Sequence, residues 1–297
     1  MTANKAEAAL SEAQQSGLAG DVQRAREGFR RARMLYHQSE DLRGQANALI
    51  GLGEVELRMG HLDKARDAFT EARVLVAPLG DQREQGNLVA HLGEVAYREG
   101  KLAEARSCYE AAGHLFSAVG DSSGQAHSLK RRGHIERDEG RQDLALDLYQ
   151  QALRLYRHAG DGLGEAHALR SLALIHDLLG KPDRAHQDFE QALELFRQAG
   201  DGLGEASVLT GLAQILRRTH DFAGAIEHFE KAASLYGRAG HLRGQADILF
   251  ELGRLLGQLG EGERARQRFR HAADLYEKIE ATELRRKAQK ELEKLKP

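Results

Sequence analysis

Residues 161–200 read DGLGEAHALRSLALIHDLLG followed by KPDRAHQDFEQALELFRQAG. Each half carries apolar side chains three and four residues apart, the period of a helix that buries one face. These are Leu169, Leu172 and Ile175 in the first half, and Ala185, Phe189, Ala192, Leu195 and Phe196 in the second. Each half closes on a glycine, Gly180 and Gly200, suited to the left-handed residue that ends a helix without a Cβ penalty. Asp161 opens the stretch as an N-cap whose side chain can accept from free first-turn N–H groups. Pro182 starts the second half, where a missing N–H does little harm. The stretch therefore predicts two antiparallel helices of about four turns each, at ~3.6 residues per turn.

The same pattern returns every 40 residues along the 297-residue chain. Gly80, Gly120, Gly160, Gly200 and Gly240 share one phase, and Gly20, Gly60, Gly100, Gly140, Gly180 and Gly260 lie half a period away. Glu40 and His220 are the departures, and Pro78 is expected to end its helix early. A fixed period of this length marks a stacked repeat array. Counting repeat positions from Asp41, the units are 1–40, 41–80, 81–120, 121–160, 161–200, 201–240 and 241–280, read as one array over 1–297. Residues 281–297 resemble another first helix dominated by Arg, Lys and Glu, as a solvating cap should be.

Small residues explain how the helices fit. Repeat position 13 is Gly53, Gly93, Gly133, Ala173, Ala213 and Gly253. A helix-interior glycine costs ~1 kcal/mol relative to alanine, which makes sense if the partner helix approaches closely there. Position 29 is a column of aromatics: Phe29, Phe69, Tyr109, Tyr149, Phe189, Phe229 and Phe269.

Leu at position 12, Gly or Ala at 13, Ala at 25, Phe or Tyr at 29 and Ala at 32 resemble the spacing of the tetratricopeptide repeat (TPR) family. The longer unit, with its GD-x-x-GEA opening at Gly160–Ala166 and Gly200–Ala206, resembles the 40-residue subtype of Leu-Gly-Asn-type polarity adaptors and bacterial signalling proteins. The resemblance implies an all-α fold: a right-handed α-solenoid of about seven helix-turn-helix units plus the cap. It also implies a concave face lined by the first helices, where a peptide lies.

Composition narrows the function classes. There are 43 basic against 45 acidic side chains, a net charge of −2, which gives no general reason to bind nucleic acid or an anionic membrane. Cys108 is the sole cysteine, so no intramolecular disulfide or Cys-rich zinc site can form. No stretch reaches the ~18 apolar residues of a spanning helix, and the expected location is cytoplasmic. There is no HExxH, no His/Cys cluster and no GxxxxGK[ST] loop. A non-enzymatic chain without metal or cofactor is expected.

Once stacking residues are set aside, the unusual ones fall at positions the resemblance assigns to the groove. Position 7 is a polar ladder that includes Asn47, Asn87, His127 and His167, side chains able to hydrogen-bond a peptide backbone. The middle of the chain carries Lys130, His134, Arg137, Arg170 and Arg217 there, which would favour an acidic partner segment. Of the 16 aromatics, 13 occupy positions 29 and 36; of the other three, Phe222 lies in the turn before a second helix and is expected to pack locally, which leaves Tyr97 and Phe250 as groove candidates. Partial burial against a neighbouring helix is the other reading of those two. The expected function is a scaffold that binds a peptide or protein segment, possibly acidic. The alternatives are a self-assembling structural array, or the sensor or regulatory region of a larger signalling protein. Oligomeric state and partner identity are not encoded in the pattern.

Overall fold

The period resolves into fifteen α-helices among the described residues, with no strand. The computed structural model describes residues 2–295; Met1 lies outside them, as do Lys296 and Pro297 at the end of the expected cap segment. In chain order the helices are α1 (Thr2–Leu18), α2 (Val22–Gln38), α3 (Leu42–Arg58), α4 (Leu62–Val76), α5 (Gln82–Arg98), α6 (Leu102–Ala118), α7 (Ser122–Asp138) and α8 (Gln142–Ala159). They continue as α9 (Gly162–Leu178), α10 (Pro182–Ala199), α11 (Gly202–Arg218), α12 (Phe222–Arg238), α13 (Leu242–Gln258), α14 (Gly262–Lys278) and α15 (Thr282–Lys294). Odd-numbered helices are the first helices of their repeats, and α15 is the cap. Pro78 ends α4 early, as expected, and a short 3-10 turn at Ala77–Leu79 follows.

The chain divides into two compact units, Met1–Ala159 and Gly160–Pro297. Within each, every helix packs on the next, and first helices also touch one repeat on: α1 with α3, α5 with α7, and α9 with α11. Each unit is thus an α-solenoid of helix pairs with its first helices gathered on one face. No helix among the described residues is long and apolar enough to cross a membrane.

Turn chemistry sets the pairing. Asp41, Asp121, Asp161 and Asp201 accept from the backbone N–H of the glycine three residues on, at 2.9, 2.9, 2.7 and 2.9 Å, satisfying a first-turn donor that would otherwise have no partner. His241 stands at the same place and accepts through Nδ1 from Gly244 at 3.0 Å. The helix-ending glycines hold φ between 67° and 82°. Glu40, His220 and Glu280 adopt the same left-handed conformation at φ 54°, 65° and 57° without being glycine, so the turn keeps its geometry at a conformational cost.

The core is the alanine and aromatic columns. The alanines at positions 25 and 32, and Phe69, Tyr109, Tyr149, Phe189 and Phe229, are buried, each large side chain contributing ~1.5–3 kcal/mol. The position-13 glycines face the aromatic ring of their own repeat. A Cβ at Gly53 would lie 2.6 Å from Phe69, and one at Gly133 2.5 Å from Tyr149. Gly51 and Gly211 make room for the ring of the preceding repeat, at 2.3 Å from Phe29 and Phe189.

Between repeats of the N-terminal unit runs a second column that the apolar pattern does not reveal. Arg26 Nε lies 2.6 Å from Glu56, Arg66 Nη2 2.7 Å from Glu99, and Arg106 Nε 2.8 Å from Glu136. Glu56 and Glu136 are almost wholly buried, and buried carboxylates need such partners. Burial pushes both acids up, but hydrogen bonds from His61 and Arg26 to Glu56, and from Arg141 and Arg106 to Glu136, hold them below the usual carboxylate range.

Candidate functional site

The face built by α1, α3, α5 and α7 in the N-terminal unit carries three adjoining clefts. The first, about 610 Å³, lies between Leu18, Phe29 and Leu57, with Glu54, Arg58 and His91 on its walls. The second, about 420 Å³, lies between α3 and α5 and is lined by Asn47, Glu54, Glu84, Asn87 and His91. The third, about 430 Å³, runs from α5 to α7 past Asn87, His91, Glu94, Tyr109, His127 and Arg131. His91 lines all three, Glu54 the first two and Asn87 the last two, so the clefts form one continuous trough.

The polar ladder falls on this trough. Asn47 and Asn87 face the α3–α5 cleft, and Asn87 and His127 the α5–α7 cleft; all three are exposed. Tyr97 sits half-buried on α5, donates its hydroxyl to Asp138, and lies 5.6 Å from the Arg131 guanidinium. On α7 and α8, the Lys130 ammonium stands 5.7 Å over the Tyr156 ring, the His134 ring meets Tyr149 edge-on at 5.5 Å, and Arg137 donates to Asp138 at 2.8 Å.

In the C-terminal unit, His167 meets Phe196 edge-on at 5.0 Å, and Arg170 Nη1 donates to the Ser207 hydroxyl at 2.8 Å. Arg217 Nη1 donates to Glu251 at 2.9 Å, and Phe250 packs edge-on against the core ring of Phe269 at 5.4 Å. Arg137 and Arg217 of the expected basic middle thus already contact carboxylates of the chain itself.

Among the trough residues absent from the sequence-based candidates are His91 and Arg131, which line the third cleft together with Glu94. His91 lies flat on Phe69, centroids 4.7 Å apart and planes 5° from parallel. Burial in the cleft lowers its proton affinity, so it is neutral at neutral pH. Arg131 Nε donates to the Tyr109 hydroxyl at 3.0 Å, and its Nη2 pairs with Glu94. Glu94 also accepts from Arg98 Nε at 2.7 Å and from the Tyr109 hydroxyl at 3.1 Å. The signal was available at position 11, which reads Gly51, His91, Arg131, Ser171, Gly211 and Glu251. Long side chains in a column that elsewhere must be small mark repeats where the side chain lies over the ring and projects into the trough.

Arg58 and Arg98 have a different task. Arg58 Nη1 donates to the Gly17 carbonyl and Arg98 Nη1 to the Leu57 carbonyl, each at 3.1 Å. Each adds a second donor to a carbonyl at the end of the preceding first helix, which also accepts from the turn glycine Gly20 or Gly60, where a cation meets the negative end of the helix dipole. Among the described residues no group of three or more His, Cys, Asp or Glu could hold a metal ion.

A helix-pair solenoid whose first helices carry an open trough is the architecture of an interaction module. The tetratricopeptide repeat profile matches residues 86–158, 126–198 and 204–278. These matches cover more than half of the sequence, and the chain belongs to the tetratricopeptide repeat family. No curated protein matches the sequence significantly. Among solved structures, the chain is similar to a Rap protein complexed with Competence and Sporulation Factor, at 13% identity and TM-score 0.63, covering 98% of this chain and 97% of that one. It is similar to the Rap conjugation gene regulator of plasmid pLS20 in complex with a peptide, at 14% identity and TM-score 0.67, covering 92% and 74%. A third likeness is to a Signal Transduction ATPase with Numerous Domains protein with a tetratricopeptide repeat sensor from Pyrococcus horikoshii. There the identity is 15% and the TM-score 0.64, with 87% of this chain covering 42% of that one. At these identities the likeness establishes the fold.

Proposed function

We propose that this protein is a non-enzymatic scaffold that holds a peptide or unfolded segment of a partner along its first-helix face. The observation that carries the reading is the continuous trough of the N-terminal unit, with Asn47, Asn87 and His127 along it. Amide and imidazole groups at one-repeat intervals can pair with successive peptide groups of an extended chain, while the clefts between helices take its side chains. The tetratricopeptide repeat is in general a module for protein interaction, and two solved structures of similar fold were determined with a peptide or signalling factor bound. Tyr97, Lys130, His134 and Arg137 extend the face on the N-terminal unit. His167, Arg170, Arg217 and Phe250 are the corresponding contacts proposed on the C-terminal one.

Affinity capture from lysate with the full chain, followed by mapping of the bound segment, tests the reading. Asn87→Ala with His127→Ala, and separately Lys130→Glu with Arg170→Glu, should weaken capture of the mapped segment while leaving the helical melting curve in place. Partners retained at full strength by both double variants would sink the groove reading.

A further inference from the structure

The trough is not uniform along its length, and the differences specify what it fits. At the α1 end, Leu18, Phe29 and Leu57 supply an apolar wall beside the polar Gln14, Glu54, Arg58 and His91. Leu18 is 90% exposed, although it borders a cleft whose other sides include Phe29, Gly17 and Leu57. An apolar side chain placed there would cover surface that water now covers, at ~25 cal/mol per Å².

Immediately beside it stands a carboxylate without a strong partner. The nearest basic nitrogen to Glu54 is His91 Nε2, 3.8 Å away, on a ring that burial keeps neutral. Arg58 is close enough to exert some attraction, yet its hydrogen bond goes to the Gly17 carbonyl. One cleft further, Glu84 faces the same space, while the local guanidinium groups are engaged elsewhere: Arg43 with Asp81 at 3.3 Å and Arg83 with Asp121 at 2.8 Å. Glu94, by contrast, has two arginines and a tyrosine hydroxyl. The guanidinium groups near Glu54 and Glu84 are hydrogen-bonded or ion-paired to other groups, and both acids bind protons more tightly than free glutamate, through partial desolvation at Glu54 and through desolvation and the neighbouring Asp81 carboxylate at Glu84.

We propose that the α1–α3–α5 part of the trough recognises a peptide segment in which an apolar side chain is followed closely by Lys or Arg. The apolar group seats against Leu18, Phe29 and Leu57, and the cation lies at Glu54. This rests on the scaffold reading above and gives it a specificity of opposite sign to the acidic partner that the basic middle suggested. The two subsites adjoin because Glu54 and His91 border both clefts. Asn47 and Asn87 are placed to hold the intervening backbone. A carboxylate with no arginine or lysine paired to it favours a cationic side chain by charge complementarity.

The test is selection of displayed random 12-residue peptides on the full-length chain, followed by fluorescence anisotropy of the enriched sequences. The proposal expects Leu, Ile, Met or Phe enriched within a few residues of Lys or Arg. Glu54→Gln should weaken such peptides about tenfold and remove the preference for the basic residue. Leu18→Ser should weaken them through the apolar residue and leave the basic preference intact. Both positions are on the surface, and an unchanged circular dichroism melt confirms that the variants fold. Enrichment of Asp or Glu, or of peptides indifferent to both substitutions, overturns this inference and leaves the scaffold reading standing. Failure to select any peptide, together with failure of affinity capture, overturns both.

Discussion

Replacing Gly133 by alanine should destabilise this protein, although alanine is the better helix former. Gly133 lies inside α7, where propensity alone favours alanine by ~1 kcal/mol. The new Cβ, however, would stand 2.5 Å from Cε1 and 2.8 Å from Cδ1 of Tyr149, far inside the ~3.5–4.0 Å optimum for carbon contacts. The ring cannot swing aside, because it is fully buried with His134 against it edge-on. Overpacking of this kind costs ~1–3 kcal/mol, so the net effect should be a loss of up to ~2 kcal/mol. Gly113, inside the neighbouring helix α6, is the control. A Cβ there meets nothing nearer than Ser128 Cβ at 3.6 Å, an ordinary contact, and Gly113→Ala should stabilise by ~1 kcal/mol. Urea unfolding followed by far-ultraviolet circular dichroism separates the cases, provided the m-value is unchanged. Two stabilised variants would refute the claim that position 13 is small because a ring fills the space.

Three further outcomes follow from the polar contacts. Arg26→Leu leaves the buried Glu56 carboxylate with His61, 2.7 Å away, and the more distant Arg30 at 3.6 Å; the loss should be ~2 kcal/mol, with much of it regained when Glu56→Leu is added. If the double variant is no more stable than the single one, the buried pair is not the cause. Glu99 is held at about 2 by Arg66 and then Lys101, below its unfolded value of ~4.3. Its contribution is therefore present above ~pH 4.3 and lost as pH falls from there toward 2. Melting temperatures taken from pH 6 to 3 should fall less steeply for Glu99→Gln, by ~1–2 kcal/mol at the acid end, and identical slopes would contradict the assignment. Burial pushes the Cys108 thiol up, so labelling by a disulfide reagent should be slow at neutral pH and accelerate as pH rises past the range of a free thiol; the rate of an unstructured peptide thiol at neutral pH would show the site to be open.

The repeat period made the stacking residues legible because each is required by a local or nearest-neighbour contact. A cap needs an acceptor, a turn needs positive φ, and a ring needs a small residue opposite. Even the departures at Glu40 and His220 keep the turn geometry, since the hydrogen bonds of the turn over-determine it. The ionic column at Glu56, Glu99 and Glu136 was hidden by its chemistry: a charged residue reads as solvent-facing until the partner 30 or 33 residues away is known to meet it. Arg58 and Arg98 were hidden similarly, because a helix-end carbonyl carries no signature of its own. The polar ladder at position 7 could be read since it needs only a side chain on the open face. Tyr97 and Phe250 stood out correctly as unusual, yet each has an intramolecular contact, with Asp138 and Phe269 respectively.

Position 11 shows why recognition in such an array is coupled to its stability. It lies against the aromatic ring of the preceding repeat, and its side chain takes three forms; at Ser171 it is small and buried, donating to the His167 carbonyl at 3.0 Å. At Gly51 and Gly211 it is absent, and the ring fills the space. Otherwise it is long enough to lie across the ring and emerge in the trough, as His91 does over Phe69 and Arg131 beside Tyr109. Changing the trough at this position therefore changes the packing between repeats as well, whereas positions 7 and 14 can vary with little effect on the core. If the trough is the binding face proposed above, a family built on this unit can diversify its ligands at Asn87 or Glu54. It can revise His91 or Arg131 only together with the ring beneath, and those two positions should therefore carry the slower, more constrained part of its specificity.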